Sequence, residues 1–282
     1  MISIAHIINP VKVDDSSDLF LAQPITFETM RTAKKHAAAD VDITFYAACY
    51  PEDTDIVPVD FNTLPPLTRS VMDIREFKVK RKLPLLKDIL DSVYAASFAQ
   101  YIIYTNVDIA LLPQFYNAVN RFISQGYDAF VINRRTITTK YKSIAEIPFM
   151  VAEIGQSHNG YDCFVFKRQL YPQFQLGNIC IGTAWVGRAL LANIVTYADK
   201  FKEFRHEHLT FHIGDPCTWR NEQFNDYIQE NQRQYHAIFA QLESQHHPFD
   251  PIVRSYLLDT ADQRTIPDFQ QYTINKGKLS KE

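Results

Sequence analysis

Residues Tyr101-Ile102-Ile103-Tyr104 form a short apolar run without polar alternation, and the polar triplet Asn106-Val107-Asp108 follows almost at once. Four apolar residues in a row are too few for a helix. A strand that shows no alternation is one covered on both faces, which requires a sheet interior with helices above and below. The preceding segment supplies one such helix over 83–98, where Leu85, Leu86, Ile89, Leu90, Val93 and Tyr94 share one face at helical period.

The same alternation runs along the chain. Ile2–Ile8 is an apolar run ending at Asn9-Pro10, a strand followed by a loop. A helix is expected over about 24–39, with Pro24 near its first turn. The β-branched and aromatic run 41–48 reads as a second strand. Residues 51–66 hold four prolines and several acids and read as an irregular connection. A helix starting near Pro113 carries Phe115, Val119, Phe122 and Ile123, with Gly126 closing it, and 128–132 is the next strand. Residues 133–158 read as loops around a site, 161–166 as a strand, 182–198 as a helix, 209–213 as a strand and 219–243 as a polar helix. This order predicts an α/β fold whose central sheet is parallel or mostly parallel and flanked by helices. Residues 1–245 form its single domain, and 246–282 form a C-terminal extension ending in a mobile tail.

Composition narrows the partners. The formal charge of -3, from 29 basic and 32 acidic residues, offers no basic excess for nucleic acid. The start MISIAHIINP reads as a strand rather than a signal peptide, and no run of eighteen apolar residues suggests a membrane span. Cys49, Cys163, Cys180 and Cys217 show no CxxC spacing, and all but Cys217 sit in apolar surroundings. Free thiols in a reducing, cytoplasmic setting are the expectation. The polar helix 219–243 leaves room for a homo-oligomer.

Two features carry chemistry. In an open α/β sheet, ligands bind beyond the carboxyl ends of the strands, which is where Asp108 falls. A carboxylate there needs a partner. One reading is a divalent cation bridging to a diphosphate, since Mg²⁺ and Mn²⁺ take few protein oxygens and fill their shell with phosphate and water. The other is a helix-type cap on the turn before Leu111. The second feature is His206-Glu207-His208-Leu209-Thr210-Phe211-His212. As a strand it puts His206, His208 and His212 on one face, a zinc-like set; as a helix it pairs His208 with His212. A single role for His212 is the favoured reading. Signals for a Gly-rich phosphate loop, GxGxxG, GxSxG and HExxH are all missing, which argues against ATP-type P-loop enzymes, nicotinamide dehydrogenases, serine hydrolases of that type and zinc proteases.

The run YIIYTNVDIALLPQFYNAVNRFISQGYDAFVINRR resembles the centre of a GT-A type glycosyltransferase, a member of the nucleotide-diphospho-sugar transferases. In that fold a strand delivers an Asp-x-Asp motif that binds Mn²⁺ or Mg²⁺ on the donor diphosphate. The likeness extends over about 1–220 in element order and is one of fold. It implies a Rossmann-related sheet, a nucleotide-sugar-binding half over about 1–135 and an acceptor-side half over about 136–245. It places Asn9 and Pro10 near the nucleotide. HNGYDCFVFKR and GNICIGTAWVGRALL resemble the acceptor half, and HLTFHIGD the segment that often gives a histidine to the metal. Asp108 and His212 would then be the metal ligands, and Asn106, which replaces the first Asp, a ribose contact. Asp162 would be a base or an acceptor-hydroxyl partner, because the acceptor helix begins Gly182-Thr183-Ala184-Trp185 without a carboxylate. Trp185 would stack on a sugar. Charge developing on the departing diphosphate calls for cations, of which Arg134 and Arg135 lie at the correct sheet edge, followed by Arg69, Arg75 and Lys82. The expected activity is transfer of a sugar from a nucleotide-sugar to a hydroxyl acceptor. A catalytically silent nucleotide-sugar or carbohydrate binder is one alternative, and a sugar-phosphate nucleotidylyltransferase is another.

Overall fold

The computed structural model of the chain describes residues 1–216, 220–245, 248–258 and 272–281. Its first half holds β1 (Ile2–Ile8), α1 (Leu19–Lys35), β2 (Val41–Ala47), β3 (Asn62–Thr63), α2 (Leu86–Ala96), β4 (Tyr101–Thr105), β5 (Ala110–Leu111), α3 (Phe115–Ser124) and β6 (Ala129–Ile132). The second half holds β7 (Arg135–Ile137), α4 (Ile147–Ala152), β8 (Gln156–Ser157), β9 (Cys163–Lys167), α5 (Val186–Tyr197), β10 (Phe201–Phe204), β11 (Thr210–Ile213), α6 (Asn225–Gln245), α7 (Pro251–Leu258), β12 (Tyr272–Asn275) and β13 (Lys278–Lys281).

The chain is a mixed α/β protein with a large central sheet, ordered β13-β12-β10-β6-β9-β4-β1-β2-β3. β4 sits in its interior, and its side chains divide between two cores. Ile102 and Tyr104 face Leu86, Ile89 and Leu90 of α2, Leu190 and Ile194 of α5 and Phe239 of α6. Tyr101 and Ile103 face Phe27 and Met30 of α1 and Phe115, Val119 and Phe122 of α3. This is the two-sided burial that the unalternating sequence demanded. Each such Leu, Ile or Phe stabilises the fold by roughly 1.5–3 kcal/mol through loss of water contact.

Most strands run one way, but β9 does not. It lies between β4 and β6 and is antiparallel to both. β12 also runs against its neighbour β10. A smaller sheet, ordered β5-β11-β7-β8, stands over the carboxyl edge.

Several sequence expectations shift. α1 begins at Leu19, capped by the Asp18 side chain, so Pro24 lies inside the helix rather than in its first turn. Its missing N–H falls opposite the carbonyl of Phe20, a residue that is 56% exposed and cheap to leave unpaired. α5 begins four residues late because Trp185 adopts a left-handed backbone with φ of 75°. Residues 133–158 contain β7, α4 and β8 rather than loops alone. At the C-terminus, 272–281 are a hairpin that pairs with β10 and extends the main sheet, in place of the expected mobile tail. Cys49, Cys163 and Cys180 are buried free thiols, and Cys217 lies outside the described residues. Among the described residues no helix is long and apolar enough to cross a membrane.

Candidate functional site

Three strand ends meet at one point. Thr105, the last residue of β4, pairs with Cys163, the first of β9, and Val131 of β6 pairs with Phe164. Because β9 is antiparallel, its beginning lies beside the ends of its neighbours. Asp162, Asn106 and Arg134 are therefore brought together from three separate segments. The Asn106 backbone N–H donates to the Asp162 carbonyl at 3.3 Å. Its side-chain Nδ2 donates to Asp162 Oδ1 at 3.1 Å. Arg134 Nη1 donates to Asp162 Oδ2 at 2.8 Å. Both carboxylate oxygens of Asp162 are thus engaged, and its side chain is only 11% exposed.

The small sheet brings in His212. Thr210 and Phe211 of β11 pair with Leu111 and Ala110 of β5, which carries the strand's next residue toward Asp108. His212 Nε2 lies 3.1 Å from Asp108 Oδ2, across 104 positions of sequence. The other ring nitrogen donates to the Gly214 carbonyl at 2.7 Å, which fixes the proton on Nδ1 and turns Nε2 toward the carboxylate. Burial works to raise the Asp108 pKa, but the hydrogen bond and charge of His212, together with Arg134, outweigh it and hold the carboxyl below its ordinary value. Burial likewise opposes a charge on His212, and the Asp108 hydrogen bond and charge overcome it, so the imidazole is raised.

Asp108 does not act as a cap. The turn after it is closed by the backbone, with Ile109 N–H donating to the Asn106 carbonyl at 3.2 Å. Its Oδ1 is buried without a hydrogen-bond partner. Arg134 Nε and Asn133 Oδ1 are buried and unpartnered in the same way. A buried polar atom without a partner calls for an explanation, and Asp108 Oδ1, on the carboxylate that meets His212, is free to bind a group from outside the chain.

Two members of the cluster were not singled out from sequence. Asp215 Oδ1 accepts from Arg134 Nη2 at 3.0 Å, and its side chain is 40% exposed. His158 Nδ1 accepts from the Gly160 N–H at 2.7 Å, and its Nε2 lies 3.4 Å from Arg134 Nη2 and 3.7 Å from Asp215 Oδ2. Burial, and then the charge of Arg134, keep His158 below its ordinary pKa. Both residues lie in segments quoted for the family resemblance, but no periodic pattern marks them.

The other expected site residues go elsewhere. Asn9 and Pro10 follow β1 at the same sheet edge, and Asn9 Nδ2 donates to the Ala48 carbonyl, tying β1 to β2. Arg69 forms a two-point pair with Asp88 of α2, at 3.1 and 2.6 Å. Arg135 donates to the carbonyls of Ile154 and Gly155 and so fastens β7 to the segment before β8. Arg75 pairs with Glu230 and Lys82 with Glu52. Trp185 packs at a tilt against Tyr235 of α6, with 5.2 Å between ring centroids. The three-histidine face does not form, because β11 starts only at Thr210 and His206 is exposed. Among the described residues, no group of three His, Cys, Asp or Glu side chains is set to hold an ion unaided.

No protein-family model matches the chain, and no curated protein matches its sequence. Among solved structures it is similar to residues 1–349 of S. aureus TarS, at 8% identity and a TM-score of 0.48 over 87% of this chain and 73% of that one. The same protein in complex with UDP gives 8% identity and a TM-score of 0.48 over 93% and 76%. In complex with UDP-GlcNAc it gives 8% and 0.47 over 93% and 77%. By its own strand order the chain has the mixed α/β layout with a large central sheet that was expected, and Asn106-Val107-Asp108 lies just beyond the carboxyl end of β4.

Proposed function

We propose that the chain is a glycosyltransferase that moves a sugar from a nucleotide-diphosphate donor to a hydroxyl acceptor, with a divalent cation held by Asp108 and His212. The observation that carries this reading is the Asp108–His212 contact at the carboxyl edge of the sheet, with Asp108 Oδ1 buried and unpartnered. The residues fit Mn²⁺ or Mg²⁺. One carboxylate and one imidazole whose Nε2 is aimed by its neighbour leave most of the shell to donor phosphate and water, as such ions prefer. When bound, the ion neutralises negative charge on the departing diphosphate.

The protein groups do the rest. Arg134, already shared between Asp162 and Asp215, fixes those carboxylates and is not free to grip phosphate. Asp162, with both oxygens taken, shapes the site rather than accepting a proton. Asp215, the more exposed acid, is the carboxylate open to an incoming acceptor hydroxyl and the proton it loses. Asn9 and Pro10 stand at the same edge for the nucleoside, and Trp185 borders the acceptor helix. A soluble, cytoplasmic chain is part of this proposal.

A second reading is a nucleotide-sugar binder without turnover. It is favoured by the segment Gly182-Thr183-Ala184-Trp185 that leads into α5, which carries no carboxylate. One experiment separates the readings. Thermal unfolding is followed with a panel of nucleoside diphosphates and nucleotide-sugars, with and without Mn²⁺, alongside donor hydrolysis. A ligand at about a hundred times its Kd stabilises by roughly 2.7 kcal/mol. A shift that needs Mn²⁺, disappears in Asp108→Ala and is accompanied by donor turnover supports the transferase. The same shift without turnover supports the binder, and no shift with any donor removes both.

A further inference from the structure

In the motif Asn106-Val107-Asp108, the first position carries an amide where an acid would add negative charge next to Asp108. The surroundings of that amide explain why. Its Nδ2 donates to Asp162 Oδ1 at 3.1 Å, and its Oδ1 accepts from the Tyr104 hydroxyl at 3.4 Å. The backbone N–H of the same residue donates to the Asp162 carbonyl at 3.3 Å. Asn106 therefore binds Asp162 through both main chain and side chain. An ionised Asp has no donor for the first of these side-chain contacts.

Charge makes the exchange costly as well as unfavourable in hydrogen bonding. Asp108, Asp162 and Asp215 surround one guanidinium, that of Arg134, which already pairs with Asp162 at 2.8 Å and Asp215 at 3.0 Å. A carboxylate at position 106 would face the Asp162 carboxylate at hydrogen-bond range, while Arg134 is already shared between Asp162 and Asp215 and His212 is turned to Asp108. Two carboxylates that close disfavour each other's ionised form. The negative charge expected from the first motif position is instead delivered by Asp162, from the start of antiparallel β9.

We infer that Asn106 is a positioning residue matched to Asp162, so that the motif has exchanged its first acid for one on the neighbouring strand rather than lost it. The pairing stands on geometry alone; its service to a bound cation rests on the glycosyltransferase reading.

The test compares unfolding midpoints of the full chain without any nucleotide, with Mn²⁺ alone as the probe. Asn106→Asp is expected to lower the midpoint by roughly 5–10 °C, and Asn106→Ala, which removes the donor without adding charge, by clearly less. Combining Asn106→Asp with Asp162→Asn reverses the polarity of the contact: the new amide at position 162 donates to the new carboxylate at position 106 and accepts from Arg134. This double exchange is expected to regain at least half of the loss. Mn²⁺ should raise the midpoint of Asn106→Asp more than that of the wild type, because a cation relieves like-charge repulsion and does nothing for a merely misshapen side chain. The inference is overturned if Asn106→Asp is no worse than Asn106→Ala, or if neither the double exchange nor Mn²⁺ recovers its loss. Should Asn106→Asp fail to fold, the doubly exchanged chain still decides, since it folds only if the two positions are coupled. No donor takes part in the measurement, so a failed search for a donor leaves the result intact.

Discussion

His6 lies in the middle of β1 and is fully buried, and it links the sheet to the strand that carries the motif. Its Nε2 contacts Thr105 Oγ1 at 2.9 Å, one residue before Asn106, and its Nδ1 contacts the Tyr116 hydroxyl of α3 at 2.8 Å. Burial pushes its pKa down from 6.5 to about 3. The unfolded chain therefore takes up a proton on His6 near pH 6.5, whereas the folded chain does so only near pH 3. Stability from this group is complete above about pH 6.5 and is lost as the pH falls toward 3. The slope is about 1.4 kcal/mol per pH unit, so that by pH 4.5 the native state has lost about 2.7 kcal/mol relative to a chain without the imidazole. For a chain of this size that is a fall of roughly 5–10 °C in midpoint. The measurement is thermal or urea unfolding of wild type and His6→Gln between pH 4.5 and 7. Other titrating groups act on both proteins and cancel in the difference. His6→Gln is expected to be less stable at pH 7, and the gap should close by about 2.7 kcal/mol at pH 4.5. A gap that stays constant across this range would show that His6 is not held neutral by burial.

Arg134→Met should destabilise by about 3–5 kcal/mol, because it leaves the nearly buried Asp162 carboxylate without its counter-charge. Adding Asp162→Asn should recover part of that loss in urea unfolding, and additive losses would refute the pair. His212 is raised and Asp108 lowered, so in metal-free protein their ion pair contributes fully between the ordinary values of 3.8 and 6.5 and fades as the pH rises through the raised His212 value. A cation must displace the proton from Nε2, so Mn²⁺ should stabilise the chain more at pH 8 than at pH 6; an equal effect at both would exclude His212 as a ligand. Gly160→Ala places a Cβ 2.5 Å from His158 Cε1 and 3.1 Å from Asp162 Oδ2. It should weaken donor binding by roughly tenfold, or about 1.4 kcal/mol, and unchanged binding by calorimetry would show that the 158–162 loop does not shape the site.

Much of this was legible in the sequence where a local pattern carries the information. β4 was readable because every side chain in its apolar run is covered, and only a strand with helices on both faces tolerates that. Asp108 was readable from its position after such a strand, and His212 from the alternation of its segment with Leu209 and Phe211. The rest depends on contacts that no local pattern encodes. Nothing in Trp185 announces a left-handed backbone, and its ring packs on Tyr235, fifty positions on. Arg135 looks equivalent to Arg134 in sequence, yet Arg134 lies in the connection after β6 and Arg135 opens β7. Arg134 turns to Asp162 and Asp215, and Arg135 to the backbone of Ile154 and Gly155. Asp215 and His158 come from two separate segments and meet around Arg134, a contact that no local pattern encodes.

The direction of β9 shows most sharply where sequence runs out. An apolar run such as YDCFVF reads identically for a parallel and an antiparallel neighbour of β4, since both faces are covered in either case. The site does not. With β9 antiparallel, Asp162 stands at the carboxyl end of β4 beside Asn106 and Arg134. A parallel β9 would carry Asp162 to the far edge, roughly 17 Å away for a strand of this length, and bring Lys167 to the site instead. Asn106 would then lose the Asp162 carboxylate as its partner, and an acid at that position would meet no like charge from β9. The amide in the motif is thus a local trace of a non-local fact: it is the residue that suits a strand running against its neighbours. Asn106 and the polarity of β9 are one choice made twice, once in the fold and once in the side chain.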